Sequence, residues 1–116
     1  MIIYIASPYT KGDPAENVSV QIDAAHRILD MGHTPIAPLL SHFLHIHRQR
    51  PYTDWLAMDL ALITRADILL RLPRKNGDHE SPGADAECRH ARANHTPVAW
   101  GWTELDETIR RYWHEL

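Results

Sequence analysis

Asp59 is the first residue whose type and position suggest chemistry. It lies four residues after Trp55 and three before Leu62, so it shares the apolar stripe of a predicted helix. Because an unpaired buried charge is costly, such a carboxylate lies at the edge of the stripe, paired with Arg65 or a backbone group, or is buried among partners. Burial raises the pKa of an aspartate and makes it a proton donor. The spacing leaves both interpretations open.

Glu87 is the second such residue. It shares a helical face with Ala84 and Ala91, whose small side chains leave room for a ligand or another backbone. A carboxylate facing that space is suited to general acid–base or nucleophilic chemistry. The alternative is a solvated glutamate paired with Arg89 or Arg92, and spacing alone favours that alternative.

The helix that carries Glu87 is predicted to begin at Ser81 and Pro82. Its first turn therefore offers unpaired N–H groups and the positive end of the helix dipole. We expect an anion such as a phosphate to bind there, held by the Ser81 hydroxyl and by the N–H groups of Gly83 and Ala84. Glu87 would then point towards the rest of that ligand.

Histidine and cysteine offer weaker signals. The chain has nine histidines, and His42, His45 and His47 are close in sequence, but they lack the i, i+4 spacing of a metal-binding helix. We predict no metal site and no organic cofactor, and favour a solvated loop or a substrate contact from one histidine, such as His42. Cys88 is predicted mid-helix, roughly 100° from Glu87, which favours a buried structural cysteine over a nucleophile.

Composition limits the class of protein. With 116 residues, 44% hydrophobic and 23% charged, the chain is expected to form one globular domain spanning residues 1–116. The formal net charge is −3 and there is no basic block, so we predict no nucleic-acid partner. The opening apolar run is too short for a signal peptide or a membrane span, so we expect a cytoplasmic protein without a membrane partner.

Strand and helix patterns alternate along the chain. Four short apolar runs predict strands, at residues 2–6, 34–38, 67–72 and 96–100. Helices follow them, with predicted starts at Asp13-Pro14, at Thr53 or Asp54, at Ser81-Pro82 and at Thr103. In the first helix the apolar face is predicted from Val18, Ile22, Ala25 and Leu29, and in the last from Leu105, Ile109 and Trp113. Residues 39–51 show no regular pattern.

This β-α alternation predicts an α/β fold, a three-layer sandwich with a parallel sheet of four to five strands. Ligands of such sheets bind beyond the carboxyl ends of the strands. The loop after the first strand, with Ser7 and Tyr9, and the loop after the second, with His42, are therefore expected to contact a substrate. Arg74 and Lys75, after the third strand, are further candidates.

Three segments resemble the nucleoside 2-deoxyribosyltransferase superfamily, which includes the nucleoside 5′-monophosphate N-glycoside hydrolases and short bacterial and phage relatives. They are residues 3–10 (IYIASPYT), residues 59–70 (DLALITRADILL) and residues 81–87 (SPGADAE). The resemblance covers nearly the whole chain and implies a flavodoxin-like (Rossmann-like) fold. It also implies cleavage of the N-glycosidic bond between a base and a (deoxy)ribose.

The resemblance assigns roles to individual residues. Glu87 matches the nucleophile, Asp59 the residue that contacts the base and helps to protonate it, and Tyr4 the residue that positions the nucleophile. Ser81 stands where the nucleotide hydrolases carry a phosphate-binding serine and where transferases acting on free nucleosides carry an aspartate. The implied substrate is a nucleoside or, favoured by Ser81, its 5′-monophosphate.

Other functions are compatible with the same pattern. A non-catalytic nucleotide-binding module would keep the fold and the anion site, and an interaction domain would use neither carboxylate. Because superfamily members are commonly dimers, the resemblance also implies a homodimer or a higher homo-oligomer. The base, the sugar, and the choice between hydrolysis and base exchange stay open.

Overall fold

The computed structural model describes the backbone of residues 1–115 and the side chains of residues 1–112, so the predicted orientation of Trp113 lies outside the described residues. The strands are β1 Ile2–Ala6, β2 Thr34–Ile36, β3 Ile68–Arg71 and β4 Val98–Trp100. The helices are α1 Pro14–Asp30, α2 Ser41–His47, α3 Tyr52–Arg65, α4 Pro82–Ala93 and α5 Gly101–Glu115, and a 3₁₀ turn spans Pro38–Leu40.

The four strands form one parallel sheet in the order β2-β1-β3-β4. Tyr4 of β1 lies opposite Ile36 of β2 and Leu69 of β3. Each connection between parallel neighbours contains at least one helix, as parallel pairing requires. The predicted α/β fold with a flavodoxin-like parallel sheet is confirmed, with four strands.

Helices cover both faces of the sheet and bury two separate apolar clusters. On one face, α1 and α5 pack against alternate residues of β1 and β3. On the other, α3 and α4 pack against the remaining residues of those strands, including Tyr4, Ala6 and Leu69. Because both faces are covered, β1 and β3 read as continuous apolar runs in the sequence.

Helix α1 buries only part of the face predicted for it, because Val18 is buried and Ala25 packs against the core but Leu29 is exposed. Its N-cap is Asp13, as predicted, and Gly32 follows its end with φ of 85°. The residues that face the sheet are Asn17, Val18, Gln21, Ala24 and Ile28, whereas the predicted face residue Leu29 is 55% exposed. The prediction was wrong for Leu29 because two buried amides replace apolar residues at the start of the stripe.

Two predicted helix starts are also wrong. Helix α3 begins at Tyr52, directly after Pro51 and without a side-chain cap, so Thr53 and Asp54 lie inside its first turn. Helix α5 begins at Gly101, directly after β4, because the positive φ of this glycine lets the chain turn at once. Helix α2, in the segment without a predicted element, has no buried residue and therefore no periodic signal.

Within residues 1–115, no helix combines the length and the apolar character that a membrane span needs.

Candidate active site

A cavity of about 610 Å³ lies at the carboxyl ends of the strands. Its walls come from the loop after β1, from α2, from α3 and from the start of α4. The predicted residues that line it are Ser7, Tyr9, His42, Asp59, Ser81, Gly83, Ala84 and Glu87. Residues predicted separately from four parts of the chain therefore meet around one space.

Tyr4 lies beneath this cavity and donates a hydrogen bond from its hydroxyl to Glu87 Oε2. Its side chain is fully buried in β1, and burial together with the charge of Glu87 raises the pKa of Tyr4 well above its ordinary value. The hydroxyl therefore keeps its proton and acts as a donor. The solvated alternative for Glu87 is wrong, because the carboxylate is half-buried and its partner is a tyrosine.

Glu87 reaches Tyr4 because the small residues of α4 let the helix lie close to the sheet. Ala84 and Ala91 pack against β1 and β3 and are essentially inaccessible. The pKa of Glu87 is raised to about 7, because burial and the nearby charge of Asp59 raise it by more than the Tyr4 hydrogen bond and the charge of Arg71 lower it. The carboxyl group can therefore change ionisation state near neutral pH.

Asp59 faces the same cavity from α3 and has the environment of a proton donor. Its side chain is half-buried, and Oδ1 has no hydrogen-bond partner among the described residues. Burial raises the pKa of Asp59 to about 7. The two carboxyl groups influence each other, so their ionisation steps belong to the pair. Near neutral pH the two carboxyl groups can hold one proton between them. The protonated group can then act as an acid and the ionised group as a nucleophile.

We expect Asp59→Asn to stabilise the fold at pH 8 and not at pH 4. The pKa of Asp59 is about 7 in the folded protein and has an ordinary value of 3.8, so the folded state binds more protons between these values. The ionisation of Asp59 therefore leaves the free energy of unfolding unchanged below about pH 4 and lowers it as the pH rises to 7. Thermal unfolding at pH 4, 6 and 8 should show a gain of about 1–2 kcal/mol at pH 8, after allowance for partial exposure.

The control for this measurement is Asp106→Asn, which removes an exposed carboxylate from α5. It should leave the pH dependence of unfolding unchanged. An equal effect of Asp59→Asn at all three pH values would contradict a raised pKa for Asp59.

Ser81 caps α4, which changes part of the predicted phosphate site. Its Oγ accepts the N–H of Ala84 at 3.1 Å, so that N–H is not free for a ligand and the prediction for Ala84 is wrong. Gly83 lies at the second helical position, where the N–H has no acceptor within the helix. The Ser81 hydroxyl can still donate its proton while its oxygen accepts. Of the predicted phosphate site, the hydroxyl of Ser81 and the N–H of Gly83 are therefore the two donors that a ligand could use.

The loop after β1 is held in place by two buried amides of α1 that the sequence reasoning did not identify. Gln21 donates to the carbonyl of Ile5 at 3.0 Å and to Ser7 Oγ at 2.9 Å. Asn17 donates to the carbonyls of Tyr9 and Lys11 at 2.7 and 2.8 Å. The sequence could have identified both as buried, because they lie four residues apart and share one helical face with Ala24 and Ile28.

His42 and His45 bring α2 into the site. His42 Nδ1 lies 2.5 Å from the hydroxyl of Tyr9. His45 Nδ1 lies 3.0 Å from Trp55 Nε1 and 3.3 Å from the backbone N of Arg50. Since both groups donate N–H, His45 Nδ1 accepts and its ring proton lies on Nε2. His45 and Trp55 line the cavity and were not predicted to do so.

Other candidates lie elsewhere. Arg74 lines a separate groove beside Arg27 and Trp102, so its predicted contact with the substrate is wrong. Lys11 and Arg50 line the cavity instead, and each is paired with acidic side chains, Lys11 with Asp78 and Glu80 and Arg50 with Asp54. Cys88 is buried in the core, and burial raises the pKa of its thiol. Among the described side chains, no three histidine, cysteine, aspartate or glutamate residues group as metal ligands.

Comparisons with known proteins bear mainly on the fold. A family model described as "Domain of unknown function (DUF7768)" matches residues 1–100. A search of curated proteins found no match. A solved 2-deoxyribosyltransferase from the psychrotolerant bacterium Bacillus psychrosaccharolyticus aligns with a TM-score of 0.62 and 21% identity. The alignment covers 86% of this chain and 71% of that one, and at this identity it shows a shared fold.

Proposed function

The chain belongs to the family described as "Domain of unknown function (DUF7768)", and we propose a function for it from the site itself. The proposed reaction is cleavage of the N-glycosidic bond of a (deoxy)nucleoside or its 5′-monophosphate, with Glu87 as the nucleophile. The released sugar is transferred to water or to a second base. Residues 1–116 are proposed to form a single domain of the nucleoside 2-deoxyribosyltransferase type.

One observation carries this proposal. A buried tyrosine orients Glu87, and a second carboxyl group, Asp59, faces the same cavity without a hydrogen-bond partner for Oδ1 among the described residues. A positioned carboxylate beside an unsatisfied, protonatable one is the pair that glycoside cleavage requires. The similar fold of a protein named as a 2-deoxyribosyltransferase supports the same reaction class.

In the proposed first step, an oxygen of ionised Glu87 forms a bond to C1′ as the bond from C1′ to the base nitrogen breaks. The bonding electrons pass to the base, and protonated Asp59 gives its proton to a base nitrogen. The negative charge of Glu87 stabilises the oxocarbenium-like transition state before the ester forms. The Tyr4 hydroxyl fixes the Oε2 atom of Glu87, which leaves Oε1 for the attack.

In the second step, water or another base attacks C1′ of the glycosyl ester. The Asp59 carboxylate takes the proton from the incoming nucleophile, and Glu87 leaves as a carboxylate. Both residues return to their starting ionisation states, so the reaction needs no further reactant. The cavity volume of about 610 Å³ is within the range that small-molecule ligands occupy.

The experiment that tests the proposal is a base-release screen. The protein is incubated with the common nucleosides and their 5′-monophosphates, with and without a second free base, and the products are separated by chromatography. Free base or an exchanged nucleoside would support the proposal. Nucleotide binding in a thermal-shift assay without any product would favour a non-catalytic nucleotide-binding module, and the absence of both would favour an interaction domain.

We expect a 5′-monophosphate to have a lower KM than its nucleoside, and Ser81→Asp to reverse that order. Aspartate is as good an N-cap as serine, so α4 should keep its cap, while the new charge repels a phosphate. Because Ser81→Asp removes a hydrogen bond to the charged phosphate, we expect the KM for the monophosphate to rise by roughly tenfold or more. Steady-state kinetics with both substrates would measure it, and equal KM values in the wild type would contradict a phosphate site.

We also propose a homodimer, with α2 at the interface. Helix α2 has no buried residue, and large apolar side chains on and beside it are exposed: Leu40, Phe43, Leu44, Ile46 and Tyr52. Contiguous apolar surface of this kind marks interaction sites. Sedimentation velocity should show a dimer for the wild type and a monomer for Phe43→Ser combined with Ile46→Ser. Leu29→Ser, at an exposed apolar residue of α1, should stay dimeric.

A further inference from the structure

His45 of α2 is held in one orientation by hydrogen bonds to a single ring nitrogen. Its Nδ1 lies 3.0 Å from Trp55 Nε1 and 3.3 Å from the backbone N of Arg50. The rings of His45 and Trp55 also pack edge to face, with their centroids 5.7 Å apart. Groups of α3 and of the loop before it therefore fix this ring, although α2 has no buried residue.

The same two hydrogen bonds decide which nitrogen of His45 carries the proton. An indole N–H and a backbone N–H can only donate, so Nδ1 accepts from both. The neutral ring then has its proton on Nε2, which has no hydrogen-bond partner among the described residues. Because His45 lines the cavity, Nε2–H is a donor of fixed orientation that a ligand in the cavity can use.

His45 lies on the same side of the cavity as Asp59. Trp55 and Asp59 are four residues apart on α3, so they share one face of that helix, and both line the cavity. His45 bonds the Trp55 ring, which places it beside this face of α3. Glu87 contributes to the opposite wall, from α4. A ligand group that contacts Asp59 therefore has the donor of His45 on the same side.

We propose that His45 is a specificity-determining residue that selects a 6-oxopurine over a 6-aminopurine as the base of the substrate. This role rests on the proposed function, in which Asp59 gives its proton to a nitrogen of the base. A 6-oxopurine presents the acceptors N7 and O6 on one edge, which match protonated Asp59 and the Nε2–H of His45. A 6-aminopurine presents an N–H donor beside N7, so two donors would face each other.

The other polar groups of the cavity wall do not supply this selectivity. A hydroxyl such as that of Tyr52 can either donate or accept, so it binds an oxo group and an amino group alike. Lys11 and Arg50 can only donate, but each is already paired with a carboxylate. His45 differs because its bond to Trp55 fixes the tautomer, so its Nε2 can only donate.

The test compares inosine 5′-monophosphate with adenosine 5′-monophosphate, in their ribose and deoxyribose forms. It measures kcat/KM for base release, and Kd by isothermal titration calorimetry. We expect the wild type to favour the inosine compound by about tenfold or more, because two facing donors are both left unpaired. His45→Gln should keep this preference, since its amide oxygen can accept from Trp55 while its NH₂ group donates. His45→Glu presents only acceptors and should reverse the preference.

The matched control is His47→Glu, which adds the same charge at an exposed position of α2 and should leave the preference unchanged. The tautomer is read separately from the ¹⁵N NMR spectrum of protein labelled at histidine, with His45→Gln identifying the signals. At pH 8 we expect Nε2 of His45 to carry the proton. A proton on Nδ1, or an equal preference in His45→Glu and wild type, would overturn the proposal. If His45→Glu does not fold, His45→Leu decides, because without a donor the preference should disappear.

Binding and turnover distinguish this proposal from the proposed function. If the inosine compound binds more tightly, with reversal in His45→Glu, but no base is released, the proposed function fails and the contact of His45 with the base stands. If base is released equally from both compounds, the function stands and the role of His45 fails. Equal weakening of both monophosphates by His45→Glu, with both nucleosides unaffected, would place the donor against the phosphate and overturn the proposal. Failure of every nucleoside and nucleotide to bind would refute both.

Discussion

Glu87→Gln is expected to lower the rate of base release by at least about 10³-fold, because it removes the nucleophile. Glutamine has the shape of glutamate, and its side-chain carbonyl can still accept the hydrogen bond from Tyr4. What is lost is the negative charge and the oxygen that would bond to C1′. The packing of α4 against the sheet should therefore survive while the chemistry does not.

The measurement compares product formation by wild type and Glu87→Gln on the best substrate of the screen. Thermal unfolding of the same samples shows whether the fold is kept, and at pH 8 the variant should be no less stable, because it no longer buries a carboxylate whose pKa is raised. Glu107→Gln, at an exposed glutamate of α5, is the matched control and should turn over normally. Wild-type turnover by Glu87→Gln would refute the nucleophile.

A second use of the same variant separates the rival functions. If Glu87→Gln binds nucleotide as the wild type does and neither protein releases base, the cavity serves binding alone. If neither binds and only stability changes, the two carboxylates belong to an interaction domain. Binding is measured by thermal shift, so these outcomes do not depend on detecting a product.

The sequence predicted those features of the fold and the site that depend on local interactions or on the spacing of apolar residues. The strand runs are apolar because both faces of the sheet are covered, so their order predicted the fold. Ser81 and Pro82 predicted the start of α4 because capping is a local interaction. Asp59 was recognisable as a carboxylate on an apolar stripe, although its spacing could not say whether it was buried.

The features that the sequence did not reveal depend on long-range packing. Nothing in the spacing of Glu87 shows that a tyrosine 83 positions away lies beneath it. Arg71 ends an apolar strand, and only the placement of α4 on that face makes its charge a buried one. Gln21 is missed for a similar reason, since its backbone partners lie in β1 and in the 3₁₀ turn before α2.

Asp59→Asn is expected to lower base release by about 10²–10⁴-fold, the usual contribution of a general acid. The size of the loss should depend on the leaving group. A purine nucleoside methylated at N7 carries a positive charge on the base and leaves without being protonated. The variant should therefore cleave it at nearly the wild-type rate, whereas Glu87→Gln should not, because every substrate needs the nucleophile.

The pH profile gives an independent check of the same assignment. Activity requires Glu87 ionised and Asp59 protonated, and both pKa values are about 7. The wild-type rate should fall below pH 7 as Glu87 gains a proton and above pH 7 as Asp59 loses one, giving a narrow bell. Asp59→Asn has no proton to lose at this position, so the residual rate of the variant should rise with pH as Glu87 ionises and then stay level. A bell that persists in this variant would mean that the acid is another residue.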